Sequence, residues 1–189
     1  MQFVSNLLSR LRMKALQFLG LPDAAAKPII EGAVKIGQNF SIDPSAEIIA
    51  TFGGEVIIGD SCFIQKGTVL YPIGGKILIG DRVGFGPYCV IYGHGGLTIG
   101  NDVRIATSCI IIPANHNFEH TDISISQQGE TAKGIVIEDD VWIGARVTIL
   151  DGITIGRGSV IGAGSLVKSN IPAYSVAVGS PAEAIKKRK

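Results

Sequence analysis

The chain has 189 residues, 46% of them hydrophobic, so it is long enough for one domain with a substantial core. Its net charge of +1 excludes the broad field that recruits nucleic acid or acidic membranes, and we expect no nucleic-acid partner. Cys62, Cys89 and Cys109 lack CxxC spacing, which argues against a disulfide framework or a thiolate metal site. We therefore predict a cytoplasmic protein with reduced core thiols.

Residues 1–28 are predicted to form an N-terminal helical cap and a linker. Apolar residues recur there at roughly helical spacing: Phe3, Leu7, Leu8, Leu11, Leu16, Phe18 and Leu19. Such a helix suits the open end of a repeat domain, which needs a cover, or a contact with another subunit. The competing interpretation is a weak membrane association through residues 1–20, because every charge in that segment is basic.

A period of six residues dominates the chain from Val34 onward. The repeating position is aliphatic or aromatic and is often followed by glycine, which suits a corner with positive φ. These anchors form six triplets: 36, 42, 48; 58, 64, 70; 79, 85, 91; 99, 105, 111; 137, 143, 149; and 155, 161, 167. A period of six fits neither an amphipathic helix nor simple alternation, and it indicates a short strand followed by a turn.

Extra residues interrupt this period only after the third anchor of a triplet, with insertions of 4, 3, 2 and 20 residues. With three strands per coil, that regularity places every insertion on one edge of a three-sided prism. We therefore predict an all-β protein, a parallel β-helix of about six three-strand coils over residues 29–173. Residues 174–189 are predicted to form a tail with a short helix.

The longest insertion lies within a loop predicted over residues 113–134, and it contains His116. Functional residues concentrate in long loops that project from a rigid scaffold. His94 stands in the two-residue insertion one coil earlier, so it is predicted to lie near the root of this loop. Both a substrate contact and a simple turn position are open for His94, whereas His120 is predicted to face solvent.

Three motifs resemble those of the hexapeptide-repeat acyltransferases: Ile137-Glu-Asp-Asp-Val-Trp142-Ile-Gly144-Ala145, Val160-Ile-Gly-Ala163-Gly-Ser165 and Gly179-Ser-Pro-Ala182. Within that family the chain is most similar to galactoside and maltose O-acetyltransferases and to O-acetyltransferases of bacterial surface polysaccharides. The resemblance implies a left-handed β-helix and a homotrimer. It also implies acetyl transfer from acetyl-CoA, the cosubstrate, to a hydroxyl of a sugar or surface-polysaccharide precursor, with no metal.

The resemblance also implies roles for individual residues. His116 corresponds to the catalytic general base, which takes the proton of the attacking hydroxyl. The residues implied to bind coenzyme A between subunits are Gly144, Ala145, Ala163, Val167, Lys168 and Lys186. The candidates for acceptor binding are His94, Asn115, Asp122 and Trp142. Asp122, Glu119 or a backbone carbonyl is expected to orient the His116 imidazole.

One position departs from the related enzymes. Galactoside acetyltransferases carry an asparagine as oxyanion donor where this chain has Gly86, so the donor must come from elsewhere. Three alternatives to O-acetylation are open. They are N-acetylation of a nucleotide-linked amino sugar, a γ-carbonic-anhydrase-like metal enzyme that uses His94, His116 and His120, and a binding scaffold without catalysis.

Overall fold

The computed structural model describes residues 27–189, and nearly every regular element in that range is a β-strand. In chain order the strands are β1 (Ile29–Ile36), β2 (Ser41–Ile42), β3 (Glu47–Ile58), β4 (Phe63–Ile64), β5 (Val69–Tyr71), β6 (Lys76–Ile79), β7 (Gly84–Phe85), β8 (Val90–Tyr92), β9 (Leu97–Ile99), β10 (Arg104–Ile105), β11 (Ile110–Ile111), β12 (Asn115–His116), β13 (Glu130–Thr131), β14 (Ile135–Ile137), β15 (Trp142–Ile143), β16 (Thr148–Ile149), β17 (Thr154–Ile155), β18 (Val160–Ile161), β19 (Leu166–Val167), β20 (Ser175–Gly179) and β21 (Ala182–Lys187). One short 3-10 helix spans Ile125–Gln127. Within residues 27–189 no helix is long and apolar enough to cross a membrane.

The strands wind into a parallel solenoid with three faces. The first face stacks β6, β9, β14 and β17, the second runs from β2 through β18 to β20, and the third stacks β5, β8, β11, β16 and β19. β1 and β3 are long enough to turn a corner, so each belongs to both the first and the third face. The predicted all-β parallel β-helix is confirmed, and its left-handed winding stays a prediction.

The anchors stack in the columns that their spacing predicts. The first-face column, read from partner to partner, is Ile36, Ile58, Ile79, Ile99, Ile137, Ile155 and Ile171. Ile171, followed by Ala177 beside Ile161, begins a further coil beyond the predicted six. The solenoid therefore has about seven turns, and its interior is filled by these columns of buried aliphatic side chains.

All three cysteines are free and buried, as the predicted core thiols require. Their Sγ atoms lie close to backbone carbonyl oxygens of the next coil. The distances are 3.2 Å from Cys62 to Gly80, 3.1 Å from Cys89 to Ala106 and 3.1 Å from Cys109 to Gly144. Burial raises the pKa of the Cys62 thiol, which favours the neutral S–H form.

The edge between the third and first faces, which we call the loop edge, carries the insertions. Residues 72–75, 93–96 and 112–134 all connect a third-face strand to the next first-face strand, and the first insertion lies within β3, where that strand turns the same corner. The prediction that the insertions share one edge is therefore confirmed. Because the anchors continue in register on both sides, the inserted residues change the surface without disturbing the core.

The glycines that follow the first-face anchors have a different role from the one predicted. Positive φ values occur two residues later, at Asn39, Ser61, Arg82, Asp102 and Gly158, and the glycines that follow the anchors lack them. A Cβ on Gly59 would instead lie 2.3 Å from Oδ1 of Asp81 in the next coil and 2.7 Å from the carbonyl carbon of Gly80. Glycine is required here because neighbouring coils approach too closely for a side chain.

Asp81 belongs to a series of Asp and Asn side chains at the corner between the first and second faces. We call this series the Asx ladder. Its members are Asp60, Asp81, Asn101 and Asp139. Each accepts, through Oδ1, the N–H group of the equivalent residue one coil earlier, at 2.7 Å for the first bond and 2.8 Å for the other three. The ladder thus satisfies backbone donors at a corner, where strand pairing is interrupted.

The C-terminal tail differs from its prediction. Residues Ala182–Lys187 form β21, which pairs antiparallel with β20, so the predicted short C-terminal helix is wrong. An unpaired sheet edge at the end of the solenoid offers main-chain hydrogen bonds that outweigh the helical propensity of the tail. The predicted N-terminal helix and cap lie largely outside the residues that the structure describes.

Candidate active site

The loop predicted over residues 113–134 is an ordered arm that projects from the loop edge. β12 and β13 pair antiparallel, with Asn115 opposite Thr131 and His116 opposite Glu130. This short ladder holds both ends of the arm together where it leaves the solenoid. His116 therefore stands on a strand at the base of the arm, where backbone pairing fixes its position.

The tip of the arm is braced by the side chain of Gln128. Its Nε2 donates to the carbonyl oxygens of His120 at 2.7 Å and Ile123 at 3.2 Å, and its Oε1 accepts from the His120 N–H at 3.0 Å. Asn117 adds a bond from Nδ2 to the Gln128 carbonyl oxygen at 3.0 Å. The role of Gln128 was not predicted from the sequence, because polar loop residues carry no periodic signal.

Asp151 anchors the C-terminal root of the arm. Its Oδ1 accepts from the N–H groups of Lys133 and Gly134, each at 2.9 Å, and its Oδ2 lies 3.0 Å from the Lys133 nitrogen. Asp151 belongs to the next coil, so it ties the arm to the rigid part of the solenoid. The role of Asp151 was not predicted from the sequence either, because it depends on a neighbour 17 positions away.

His116 faces a carboxylate from the opposite strand of the arm. Its Nδ1 lies 3.4 Å from Oε1 of Glu130, and the two side chains are 64% and 45% exposed. Glu119, an expected orienting residue, instead accepts the Phe118 N–H at 3.2 Å. Within residues 27–189, Asp122 makes no ion pair with His116, so the carboxylate beside the imidazole is that of Glu130.

A cavity of about 190 Å³ opens beside His116. Its lining residues are Tyr92, His94, Ile112, Ala114, Asn115, His116 and Glu130. The structure thus brings His94 and Asn115 together with His116, whereas Asp122 and Trp142 lie outside the cavity lining. The volume corresponds to about six water molecules at roughly 30 Å³ each, enough for reacting groups but not for a whole sugar nucleotide.

Aromatic side chains continue from this cavity along the third face. The Tyr92 ring meets the His94 ring edge-on, with centroids 5.5 Å apart, and stacks on Tyr71 at 6.3 Å. The Tyr71 hydroxyl donates to Oε2 of Glu47. Burial, followed by this hydrogen bond and the Glu47 charge, raises the pKa of Tyr71 to about 12.

Three of the residues predicted to bind coenzyme A meet at the corner between the second and third faces. A Cβ on Gly144 would lie 2.6 Å from the Ala163 nitrogen, so these two backbones are in close contact. The carbonyl oxygen of Ala145 accepts the Gly164 N–H at 2.8 Å. Gly144 is buried, Ala145 is half-buried and Ala163 is exposed, so only part of this corner is open to a bound chain.

The other predicted cofactor residues lie apart from this corner. Val167 is fully buried, so its side chain contributes to the core only. Lys168 follows it on the loop edge and is exposed, while Lys186 is exposed on β21 opposite Val176. Within one chain the structure does not bring these two lysines to the Gly144 corner. The exposed Trp142 side chain lies on the second face.

Gly86 occupies the same corner two coils earlier, and it has no room for a side chain. A Cβ there would lie 2.7 Å from the nitrogen of Thr107 and 2.8 Å from the carbonyl carbon of Ala106. The position therefore excludes the side-chain oxyanion donor that the related enzymes carry. Among residues 27–189, no three His, Cys, Asp or Glu side chains are grouped to hold a metal ion.

Comparison with known proteins gives both sequence and structural matches. Residues 134–169 match the family model "Bacterial transferase hexapeptide (six repeats)". The putative lipopolysaccharide biosynthesis O-acetyl transferase WbbJ of Escherichia coli is 35% identical over 164 residues, which cover 83% of this chain and 73% of that protein. The probable acetyltransferase Rv3034c of Mycobacterium tuberculosis is 40% identical over 93 residues, covering 49% of this chain but only 31% of that protein.

Among solved structures, the chain is similar to AntD, an N-acyltransferase from Bacillus cereus crystallised with dTDP and 3-hydroxybutyryl-CoA. The TM-score is 0.71 at 26% identity, and the match covers 82% of this chain and 83% of that one. The two structures share the fold over most of their lengths.

Proposed function

The chain belongs to the hexapeptide-repeat acyltransferase family, and from that premise we propose that it transfers an acetyl group from acetyl-CoA to a hydroxyl of a sugar or surface-polysaccharide precursor. The observation that carries the proposal is the His116–Glu130 pair at the mouth of a small cavity beside the loop edge. An imidazole backed by a carboxylate is a general base whose orientation is set in advance. The match to WbbJ supports a hydroxyl acceptor on a surface glycan precursor.

We infer from this pair which nitrogen of His116 acts. Nδ1 faces the Glu130 carboxylate and carries the proton of the neutral ring, which leaves the Nε2 lone pair for the substrate. As the acceptor oxygen bonds to the thioester carbon, its proton moves to Nε2. The C–S bond then breaks, and the imidazolium returns that proton to the coenzyme A thiolate. A positioned base of this kind contributes about 10²–10⁴ in rate.

Backbone at Gly144, Ala145 and Ala163 is proposed to hold the pantetheine arm of acetyl-CoA. Lys168 and Lys186 have the charge to bind the nucleotide phosphates. Neighbouring structures in the family bind coenzyme A derivatives, which supports this assignment. Val167 supports the site from within the core, since it has no exposed surface.

A homotrimer is proposed because the two halves of the predicted site lie apart in one chain. His116 stands on the loop edge, whereas Gly144 and Ala163 stand at the next corner, across the third face. A groove between two copies brings the loop edge of one copy against the corner of another. In this arrangement Trp142 and Asp122, which lie outside the cavity of a single chain, have a place beside the acceptor.

N-acetylation of a nucleotide-linked amino sugar is the second candidate. The similarity to AntD, an N-acyltransferase solved with dTDP, favours this alternative specifically. An amine needs less assistance from a general base than a hydroxyl does, because its neutral form is already a good nucleophile. The dependence of the rate on His116 therefore separates the two acceptor classes.

The test mixes the purified full-length protein with acetyl-CoA and a panel of sugars, nucleotide sugars and glycans, and follows release of free thiol. We expect acceptor-dependent release that falls by about 10²-fold or more in His116→Ala. His120→Ala is the matched control, since this loop histidine lies outside the cavity lining. Equal rates for wild type and His116→Ala would refute the base assignment, and release with amines alone would select N-acetylation.

A further inference from the structure

The proposed reaction still lacks a donor for the oxyanion that develops on the thioester carbonyl. Backbone crowding excludes a side chain at Gly86, because a Cβ there would lie 2.7 Å from the nitrogen of Thr107. His94 is the second imidazole in the cavity of His116. We propose that His94 is a catalytic residue that donates an Nε2–H hydrogen bond to the developing oxyanion. This inference rests on the proposed function.

His94 is held rigidly by the turn that carries it. The Gly95 N–H donates to the Pro113 carbonyl oxygen at 3.1 Å, and the Gly96 N–H donates to the Gly93 carbonyl oxygen at 2.8 Å. A Cβ on Gly95 would lie 2.6 Å from the carbonyl carbon of Ala132, so the turn also presses against the other root of the arm. The imidazole therefore has a fixed relation to both strands that position His116.

The surroundings of the ring decide which nitrogen carries its proton. Nδ1 of His94 is buried and has no hydrogen-bond partner within residues 27–189. A proton on Nδ1 would be a buried donor without an acceptor, and orphaned buried donors are rare in folded proteins. With the proton on Nε2, the buried Nδ1 carries only a lone pair without a donor. The ring then carries its N–H donor at Nε2, and His94 is one of the residues that line the cavity.

The two histidines of the cavity therefore have opposite hydrogen-bonding character. His116 has a carboxylate at Nδ1 and offers a lone pair at Nε2, as a base requires. Within residues 27–189 His94 has no carboxylate partner, its neighbour is the edge of the Tyr92 ring, and it offers N–H. One group accepts the hydroxyl proton while the other donates to the carbonyl oxygen whose negative charge grows as the new C–O bond forms. When the C–S bond breaks, that charge moves to the leaving thiolate and the hydrogen bond relaxes.

Nitrogen-15 NMR of the labelled full-length protein tests the tautomer without any substrate. The His94 resonances are assigned by their loss in His94→Gln. We expect the Nε2–H tautomer near neutral pH, with His120 as an internal reference for an exposed ring. Finding the Nδ1–H tautomer in the folded protein would overturn the proposal.

Kinetics then test the role in the reaction. We expect His94→Phe to lower kcat by about 10²–10³-fold while KM for the acceptor changes little, since the bond forms only in the transition state. His94→Gln, whose amide also donates N–H, should recover part of this loss. A normal melting temperature and coenzyme A affinity for both variants exclude misfolding as the cause.

Two results would refute His94 as the oxyanion donor and leave the proposed function intact. One is a raised acceptor KM with unchanged kcat, which describes acceptor binding alone. The other is an unchanged kcat in His94→Phe, while His116→Ala is inactive. If the wild-type protein transfers no acyl group to any acceptor of the panel, the proposed function itself fails.

Discussion

The Asx ladder and the loop edge are two edges of the same prism, and they show opposite uses of one repeat. At the ladder corner the connection between strands has the same length in these coils. The same hydrogen bond, from a backbone N–H to an Oδ1 atom, is repeated at Asp60, Asp81, Asn101 and Asp139. At the loop edge the connections vary in length, and His94 and His116 appear there once each. The repeated hydrogen bonds at the ladder corner stabilise the solenoid, whereas the irregular insertions at the loop edge carry the proposed catalytic residues.

The contrast has an energetic basis. Each ladder bond replaces a strand bond at the corner, so a substitution in the ladder removes the protein acceptor of one backbone N–H. The arm on the loop edge is exposed. Its hydrogen bonds fix the position of the arm but bury little surface. Substitutions at the two edges are therefore expected to separate stability from activity.

After the two histidine variants, the largest effect is expected at the loop edge, from Glu130→Gln. The amide keeps the shape but no longer holds the proton on Nδ1 of His116, so both the favoured tautomer and the stabilisation of the imidazolium are lost. We expect kcat to fall by about 10- to 100-fold, or roughly 1.4–2.7 kcal/mol of barrier, with an unchanged melting temperature. The same substitution at Glu119 is the control, and an active Glu130→Gln enzyme would remove Glu130 from the mechanism.

The ladder is expected to show the reverse behaviour. Asp81→Ala removes the acceptor of the Asp60 N–H, which is 2.8 Å away, and should lower the free energy of unfolding by about 0.5–1.5 kcal/mol. Glu183→Ala on exposed β21 is the matched control. Chemical denaturation measures both, and kcat of the folded Asp81→Ala protein should equal that of wild type. A change in kcat without a change in stability would contradict the division between the two edges.

A smaller effect is expected where the two regions meet. Asp151→Asn exchanges a carboxylate that accepts from Lys133 and Gly134 for an amide of the same size. The root of the arm should loosen, and kcat should fall by less than about tenfold, or roughly 1.4 kcal/mol, with a small change in melting temperature. Hydrogen exchange of the Lys133 and Gly134 amides is the direct measurement. Unchanged protection of both amides would show that other contacts hold the arm.

The smallest effect concerns pH and Tyr71. Its pKa is raised to about 12 in the folded protein, against an ordinary value near 10, mainly by burial and by Glu47. The folded state therefore favours the protonated phenol, so this stabilisation is complete below about pH 10 and disappears as the pH rises toward 12. Ultraviolet titration should show one late tyrosine that is absent in Tyr71→Phe. A titration near pH 10 for every tyrosine would contradict the assignment.

The solenoid could be predicted from the sequence because the repeat that defines it is only six residues long. Six-residue spacing alone placed anchors such as Ile58, Ile79 and Ile99 in one column and assigned the insertions to one edge. The seventh turn was missed because the chain shortens before Ile171 and because its next inward residue, Ala177, is small. Glycine was linked to positive φ, whereas its function is close approach between coils, a feature that only the stacked structure reveals.

The site was predictable only in part, because its contacts are not periodic. His116 and the proximity of His94 followed from the insertions and the family resemblance. Glu130 was missed because it pairs with His116 across an antiparallel hairpin whose register leaves no signal in the sequence. The helix expected in the tail failed for a similar reason. An Ala-Glu-Ala-Ile-Lys-Lys segment favours a helix locally, but a distant sheet edge selects a strand.

That tail strand has a consequence for how the molecule behaves in a crowded solution. A parallel solenoid can in principle lengthen without limit, since its last coil displays the same hydrogen-bonding groups as every coil before it. β21 runs in the opposite direction across the end of the second face, and it carries Lys186 and Lys187 beside Arg188 and Lys189. These basic side chains oppose pairing of a second molecule with the outer edge of β21. The charged edge strand therefore acts against end-to-end fibre growth on that face.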